Sequence, residues 1–250
     1  MSPLVPVVYR DDRLVAVIKP AGLLVHRTQL DAYERHNLVD RLLDQLGQQV
    51  YPVHRLDKPT SGLLLFAFDA DCARALTTQF EQREVNKVYH AVVRGYTQEE
   101  GCIDYPIGDK DARHNKRLPA VTRYKTIAKL ELPHRIDRYP TTRYSLVEVK
   151  PVTGRRHQIR QHMKHIHHPL IGDTSYGKAI HNKFFTTHYD CKRLLLHASG
   201  LTFTHPFSNS RIVLDAPITD TDIGDDGQFE RVLTDGLWHQ LTDSVDSRLP

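Results

Sequence analysis

The sequence predicts an α+β fold with a mixed, largely antiparallel central sheet and flanking helices. Extended segments outnumber helical ones along the chain. Residues 63–66 form an apolar run without alternation, which is typical of a strand covered on both faces. The chain of 250 residues, 40% of them hydrophobic and 26% charged, is long enough to bury a full core.

The first predicted elements are a hairpin and a short helix. Residues 5–18 predict two strands that turn at residues 11–12. Asn37 can cap the helix that follows, and Gly47 lies just past its end. One face of that helix carries four leucines: Leu38, Leu42, Leu43 and Leu46.

A second helix and a long strand come next. Asp69 or Asp71 caps the helix. Its buried face carries three residues: Ala73, Leu76 and Phe80. Residues 87–95 then alternate as a strand, with Tyr89 on one face. Residues 109–118 are polar and net positive, which indicates a surface loop.

Two further strands are expected at residues 120–132 and 143–150. A helix follows, because Ile159, Met163 and Ile166 have helical spacing and form a packed face. Beside that face we expect a stripe that presents three cationic side chains: Arg160, Lys164 and His167.

The remaining chain predicts a strand pair and a terminal helix. The pair comprises residues 193–197 and 201–205, which turn at residues 198–200, and another strand follows at 212–214. One amphipathic helix then accounts for the last apolar residues, although Gly236 weakens it. These residues are Phe229, Val232, Leu233, Leu237, Trp238 and Leu241.

Charge is distributed unevenly along the chain, whose formal net charge is +4. Residues 215–250 contain nine acidic and two basic side chains, a balance of −7, which leaves +11 on residues 1–214. A basic body of this kind is the expected electrostatic footprint of a protein that binds a polyanion.

The sequence lacks the motifs that mark several classes of protein. It contains no Gly-x-Gly-x-x-Gly motif and no P-loop, so nothing indicates a dinucleotide or nucleoside triphosphate cofactor. The five histidines within residues 157–168 lack a carboxylate partner and a two-ligand spacing, so we expect phosphate contact or packing rather than a metal site. Three widely spaced cysteines give no disulfide framework. The first thirty residues hold no signal peptide or membrane span, so we expect a cytoplasmic protein.

One polar segment, residues 54–62, leads into the apolar strand and contains Asp57. Pro59 and Gly62 make this segment turn. A carboxylate is thereby held on a rigid mount at the edge of a core. The alternative is ordinary turn chemistry, in which the Asp side chain bonds to nearby backbone amides.

Six segments together resemble the RluA-type pseudouridine synthases. Residues 54–66 resemble the catalytic-aspartate motif of that family, with the pattern HRLDxxTSGLLLF intact. The other segments follow in the family's order and spacing: residues 19–22, 87–95, 153–162, 168–173 and 195–198. The match covers residues 5–217 and makes the turn-only interpretation of Asp57 the weaker one.

The resemblance implies an isomerase that breaks the N1–C1′ bond of a uridine, turns the base and rejoins it through C5, without metal or organic cofactor. Asp57 matches the catalytic aspartate, Arg160 the basic residue that pairs with it, and Tyr89 the aromatic that stacks on the uracil. Arg55 matches the arginine that fills the gap left by the flipped base. RNA contacts are expected of Lys19, His54, Arg55, Arg155, Arg156 and His157.

Residues 24–27 and 138–144 resemble the branch that modifies uridine 65 of tRNA. We therefore expect a tRNA substrate for a monomeric enzyme. Another tRNA or rRNA uridine, a non-catalytic RNA-binding protein, and a nucleosidase that stops after cleavage are the alternatives. The resemblance implies a pseudouridine synthase catalytic domain over residues 1–217, with no S4-like module. Residues 218–250 would form an acidic extension, by default a solvated terminus.

Overall fold

The computed structural model describes residues 4–26, 37–108, 117–218, 228–234, 236 and 238–240. Its helices are α1 (Leu38–Leu46), α2 (Ala70–Gln82), α3 (Gln158–His165), α4 (Ala179–Tyr189) and α5 (Gln228–Leu233). Its strands are β1 (Val7–Arg10), β2 (Leu14–Lys19), β3 (Tyr51–Pro52), β4 (Ser61–Ala67), β5 (Asn86–Arg94), β6 (Glu100–Asp104), β7 (Ile107–Gly108), β8 (Arg117–Leu118), β9 (Val121–Leu132), β10 (Thr142–Pro151), β11 (Leu196–Thr204), β12 (Arg211–Asp215) and β13 (Trp238–Gln240). None of the helices in this part of the chain is long and apolar enough to cross a membrane.

Backbone contacts divide the described residues into two compact units. The first unit draws on Met1–Lys87 and Ala198–Asp226, and the second on Val88–His197 and Gly227–Pro250. The chain passes between the units inside two strands, β5 and β11. The predicted domain boundary at residue 217 stays a prediction.

The first unit is built around β4. Strand β2 runs antiparallel to β4 from the pair Leu14 and Ala67 to the pair Lys19 and Gly62, and β1 pairs with β2 as the predicted hairpin. Strands β3 and β4 are antiparallel, as are β11 and β12. All seven residues of β4 are buried, which confirms the strand covered on both faces.

The helices of the first unit begin where the sequence predicts them. Asn37 caps α1 by accepting a backbone N–H at 3.0 Å, and Asp69 caps α2 by accepting one at 2.9 Å. Leu38 and Leu42 are buried, but Leu43 is 41% exposed. The part of this helix face that meets the core is therefore narrower than the four-leucine pattern.

The second unit is an antiparallel sheet in the order β5-β10-β9-β13, with β6 also on β9. Helix α3 packs Ile159 and Met163 into the core of this sheet and leaves Ile166 partly buried, as predicted. Most of the predicted loop, residues 109–116, lies outside the described residues. The mixed, largely antiparallel α+β fold is confirmed.

The predicted strand pair at residues 193–205 is wrong, because β11 is one continuous strand. Ala198, Ser199 and Gly200 are extended and buried instead of turning. The backbone of this segment lies close to β4, because a Cβ added to Gly62 would collide with the Ala198 backbone. The glycine that this close approach requires is therefore Gly62 of β4.

The predicted terminal helix is also wrong in extent. Helix α5 has only six residues, and Trp238 instead begins β13 beside β9. Phe229 and Val232 are fully buried, so this stretch does not form the solvated terminus expected by default. The predicted helix positions Leu237 and Leu241 lie outside the described side chains.

Helix α4 is absent from the sequence prediction. Its apolar and polar residues are not separated onto two faces, so the periodic signal is missing. Tertiary packing fixes it instead: Phe185 is buried and meets Tyr144 edge to face, with 4.9 Å between ring centroids.

Gly62→Ala should lower the free energy of unfolding by about 3 kcal/mol, since Gly62 has φ of 111° and a Cβ there would meet the Ala198 backbone. Gly47→Ala is the matched control. Gly47 also has positive φ, 70°, but nothing lies within 4 Å of an added Cβ, so its loss should be about 1 kcal/mol. Urea unfolding followed by circular dichroism measures both, and equal losses would contradict the close-approach argument.

Candidate active site

Asp57 sits on a loop that the backbone holds in place before β4. Thr60 N–H donates to the carbonyl of Asp57 at 3.0 Å, and Gly22 N–H donates to the carbonyl of Lys58 at 2.8 Å. Leu56 is 5% exposed and anchors the loop in the core. The side chain of Asp57 itself is half-buried. A carboxylate is thus fixed at the edge of a core, as predicted.

Lys19 positions this loop from inside. Its side chain is fully buried, and Nζ donates to the carbonyls of Pro20 and Leu23 at 2.8 Å and of Lys58 at 3.1 Å. The structure does not support the predicted RNA contact of Lys19, because a phosphate on the surface cannot reach a buried ammonium. The charge instead ties residues 20–23 to the segment that carries Asp57.

His54 also faces the protein. Its Nε2 accepts the Leu65 N–H at 3.1 Å, and its ring stacks on Phe80 with 4.5 Å between centroids. Burial, and then the charge of Lys87, lowers the pKa of His54 to about 3, so the ring is neutral at pH 7. The predicted RNA contact of His54 is not supported, since a neutral ring bonded to β4 braces the segment before Asp57.

Arg55 and Tyr89 keep the exposure that their predicted roles require. Arg55, in the first unit, is exposed. Tyr89, in the second unit, is half-buried against the core and pairs with Val149 across β5 and β10. An arginine that fills a gap in a base stack must project from the surface, and a stacking aromatic must keep one open face. Both roles stay predictions.

Arg160 lies in a buried ion pair that the sequence analysis missed. Its Nε and Nη2 donate to the two carboxylate oxygens of Asp173 at 2.7 and 2.9 Å. The two side chains are 5% and 0% exposed. The predicted presentation of Arg160 as a surface cation is therefore wrong, whereas Lys164 and His167 of the same stripe are exposed. The predicted pairing of Arg160 with Asp57 stays a prediction.

Asp173 stays ionised although it is buried. Burial raises its pKa, but hydrogen bonds and charge from Arg160, with the backbone N–H groups of Tyr176 and Ser175, bring the pKa below the ordinary 3.8. The bidentate geometry fixes the rotation of the guanidinium. The sequence did contain a sign of this residue, because Asp173 ends the family-like segment at residues 168–173. The position of Asp173 in the sequence does not show that its partner is Arg160.

Gln158 organises the turn that carries the predicted basic contacts. Its Oε1 accepts from the Thr153 hydroxyl at 2.6 Å, and its Nε2 donates to the Thr122 hydroxyl at 2.9 Å. A buried amide thereby locks the turn with its own side chain. The turn carries Arg155 and Arg156, which are exposed, and His157, which is half-buried. Contact of these residues with RNA stays a prediction.

The histidines of α3 divide between packing and surface positions. His162 is buried: its Nε2–H donates to the Tyr105 carbonyl and its Nδ1 bonds the Thr122 hydroxyl, both at 2.9 Å. Burial lowers the pKa of His162. His165 is exposed and stacks on the Tyr105 ring at 3.6 Å. Within the described ranges, no group of three His, Cys, Asp or Glu side chains could hold a metal ion.

Comparison with known proteins decides the family. A family model described as RNA pseudouridylate synthase matches residues 13–165, more than half of the chain. The chain belongs to the RNA pseudouridylate synthase family. The protein named tRNA pseudouridine synthase C of Vibrio parahaemolyticus serotype O3:K6 (strain RIMD 2210633) is 49% identical over 230 residues, 88% of this chain and 94% of that protein. Its namesake from Pasteurella multocida (strain Pm70) is 50% identical over 220 residues, 85% and 90% of the two chains.

Solved structures agree on the fold of this RNA pseudouridylate synthase. Human RNA Pseudouridylate Synthase Domain Containing 1 matches with a TM-score of 0.72 and 24% identity, over 98% of this chain and 95% of that one. Human RNA Pseudouridylate Synthase Domain Containing 4 matches with a TM-score of 0.66 and 24% identity, over 91% and 92%. The predicted pseudouridine synthase fold is confirmed, and the family makes the chain an isomerase that acts on RNA.

His54→Gln should change how stability depends on pH, because the amide oxygen can accept the Leu65 N–H without titrating. In the unfolded wild-type chain His54 binds a proton as pH falls below 6.5, whereas in the folded chain it binds one only near pH 3. The free energy of unfolding of the wild type therefore decreases as pH falls from 6.5 to about 3. Between pH 7.5 and 5.5 the wild type should lose about 1 kcal/mol more unfolding free energy than His54→Gln. Urea titrations check this, and identical losses would rule it out.

Asp173→Asn should lower the free energy of unfolding by about 3 kcal/mol, because it leaves a guanidinium buried beside a neutral amide. The matched control is Asp71→Asn, which breaks the exposed pair with Arg74 and should cost about 0.5 kcal/mol or less. Replacing both charges, as Arg160→Met with Asp173→Leu, should recover part of the loss. Urea unfolding measures these losses. If Asp173→Asn lowered the free energy of unfolding by no more than Asp71→Asn does, the buried ion pair would not be important for stability.

Proposed function

We propose that this enzyme converts uridine 65 of tRNA into pseudouridine, with Asp57 as the catalytic residue. The observation that carries the proposal is the fixed loop that holds the Asp57 carboxylate half-buried before β4, inside the region matched by the family model. The similar proteins reported above are named for tRNA. Position 65 rests on the resemblance of residues 24–27 and 138–144 to that branch. The enzyme works as a cytoplasmic monomer.

The reaction needs no external reagent, because it is an isomerisation. The N1–C1′ bond breaks, the uracil turns and a C5–C1′ bond forms, while the proton lost from C5 balances the proton gained by N1. Asp57 either adds to C1′ or promotes a glycal, and both pathways need the carboxylate ionised. Tyr89 stacks on the uracil, and its hydroxyl relays the C5 proton.

Two arginines complete the proposed reaction. Arg55 occupies the place of the flipped base, which supports extrusion of the uridine from its stack. The resemblance assigns Arg160 to the catalytic carboxylate. Asp173 restricts the orientation of that guanidinium, so it acts as a positioning residue.

Exposed cations of the second unit supply phosphate contacts. Arg155 and Arg156 flank the turn before α3, and Arg117 and Lys164 line a cavity of about 270 Å³ beside the stacked ring of Tyr105. Side chains of this kind fix an RNA in register without reading its sequence. Affinity for tRNA should accordingly fall as salt rises.

The decisive test is product mapping with Asp57→Asn. Unmodified tRNA is incubated with wild type or variant, and carbodiimide-dependent primer-extension stops locate pseudouridine. We expect one stop, at position 65, and a loss of turnover of about 1,000-fold or more in the variant, because the amide can neither add to C1′ nor take a proton. Binding of tRNA to the variant should be retained.

Asp71→Asn serves as the control, since it removes an exposed carboxylate elsewhere in the first unit and should leave turnover unchanged. Wild-type turnover in Asp57→Asn would contradict the catalytic assignment. A stop at another uridine would reject position 65 alone. Abasic RNA would indicate a nucleosidase, and binding without product would indicate a non-catalytic RNA-binding protein.

A further inference from the structure

The second unit contains a cavity of about 480 Å³ that the proposed reaction does not use. Its wall combines the end of β5, the connection from β9 to β10, the loop after α3 and one residue of α4. The side chains that matter for its chemistry are Arg94, Asp137, Tyr139, His168 and His181. A volume of this size falls within the range of sites for small ligands.

The cavity is separate from the position of Tyr89. Tyr89 and Arg94 belong to the same strand, β5, and are five residues apart. An odd spacing puts their side chains on opposite faces, and five residues of strand span about 16 Å. A ligand held at Arg94 is therefore not the uracil stacked on Tyr89.

The guanidinium of Arg94 is available to a ligand. It is half-buried in the cavity wall, and no ion pair or side-chain hydrogen bond to it occurs among the residues that the structure describes. Asp137, on the same wall, is bound to Lys178 at 3.3 Å and is exposed. The hydrogen bond from Lys178, and to a smaller extent the charge of Arg94, lower the pKa of Asp137, so one carboxylate faces two cations. The wall therefore keeps an excess of positive charge in a semi-enclosed space, where an anion interacts more strongly than in open water.

His181 contributes a buried imidazole to the wall of the cavity. It is 2% exposed, and its Nδ1 lies 2.9 Å from the Tyr144 hydroxyl, in a hydrogen bond that either group can donate. Burial, and then the charges of Arg94 and Lys178, lower the pKa of His181 to about 4, so the ring is neutral at pH 7. Its Nε2 is buried and has no hydrogen-bond partner among the described residues, so the ring lines the cavity without donating to a ligand.

An aromatic ring stands at the rim of the cavity. Tyr139 is 54% exposed, and the Arg138 guanidinium lies 5.0 Å from its ring centroid. On the inner side, His168 Nδ1–H donates to the Arg94 carbonyl at 2.8 Å, which orients that ring. The cationic Arg94 inside and the exposed aromatic ring outside match the two halves of a nucleotide, a phosphate and a base.

We propose that this cavity binds one unpaired nucleotide of the substrate RNA, away from the target uridine. The phosphate is held by Arg94, and the base stacks on Tyr139. The inference rests on the proposed action on tRNA. It adds a second anchor, which strengthens binding of substrate and transition state alike.

Steady-state kinetics on unmodified tRNA test the anchor through two variants. Arg94→Gln and Tyr139→Ala should each raise KM about tenfold with kcat unchanged, because uniform binding is lost. Arg94→Gln should also reduce the slope of log affinity against log salt by about one. The matched controls are exposed Arg74→Gln and Phe207→Ala, the latter a half-exposed ring that also carries an arginine, Arg13. Both controls should behave as wild type.

A direct probe does not depend on turnover. Nitrogen-15 NMR of the histidine rings is recorded with uridine 5′-monophosphate, uridine and inorganic phosphate added in turn. The monophosphate should shift the ring signals of His168 and His181, which line the cavity, at the lowest concentration, and Arg94→Gln should abolish that shift. Ultraviolet cross-linking of tRNA to the Asp57→Asn protein should label the peptide that contains Tyr139.

Variants at control levels, or monophosphate binding no better than inorganic phosphate, would overturn the second anchor. Absence of label at Tyr139 would do the same. Tyr139 is exposed, so its variant tests the idea even where Arg94→Gln folds poorly. Failure of the proposed function looks different, because wild-type enzyme would then leave uridine 65 unmodified whatever the state of the cavity.

Discussion

The organising constraint of this molecule is that charge placed near a core must be matched by fixed partners. The first unit meets it with Lys19, whose buried ammonium bonds three carbonyls around the loop of Asp57. The second unit meets it with Arg160 and Asp173, joined through both carboxylate oxygens. Isolated buried ions are costly, so each partner holds the other in one geometry. Rigid placement of the chemically important side chains follows from that compensation.

Histidine serves this fold mainly as a hydrogen-bonding residue. His54 accepts a backbone N–H, His162 bridges a hydroxyl and a carbonyl, and His168 donates to a carbonyl. In each case a ring nitrogen completes the bonding of a polar group inside a sheet protein. His26 and His181 depart from the pattern, because His26 Nδ1 and His181 Nε2 are buried without a hydrogen-bond partner.

The elements that could be predicted from the sequence are those specified by residues close together in the chain. Caps at Asn37 and Asp69, the apolar run of β4 and the spacing of Ile159 and Met163 all specify elements without reference to the rest of the chain. The parts that escaped prediction depend on distant partners. In the sequence Lys19 is only a cation near a turn, and its burial depends on the tertiary structure. The pairing of Asp173 with Arg160 depends in the same way on the position of α3. Helix α4 has no periodic face, so tertiary packing alone defines it.

The loop of Asp57 was predictable because its motif is contiguous, whereas the residues that support it are scattered along the chain. His54, Lys19 and Arg55 all lie in segments that match the family, yet only Arg55 is exposed. His54 bonds the backbone of Leu65, and Lys19 bonds backbone carbonyls. The close approach of Gly62 to Ala198 has one more consequence, which concerns synthesis on the ribosome. Ala198 belongs to β11, which follows β4 by more than a hundred residues, so the nascent chain holds the apolar strand β4 without this neighbour while those residues are made. A chain released before β11 is made therefore leaves that edge of β4 unpaired.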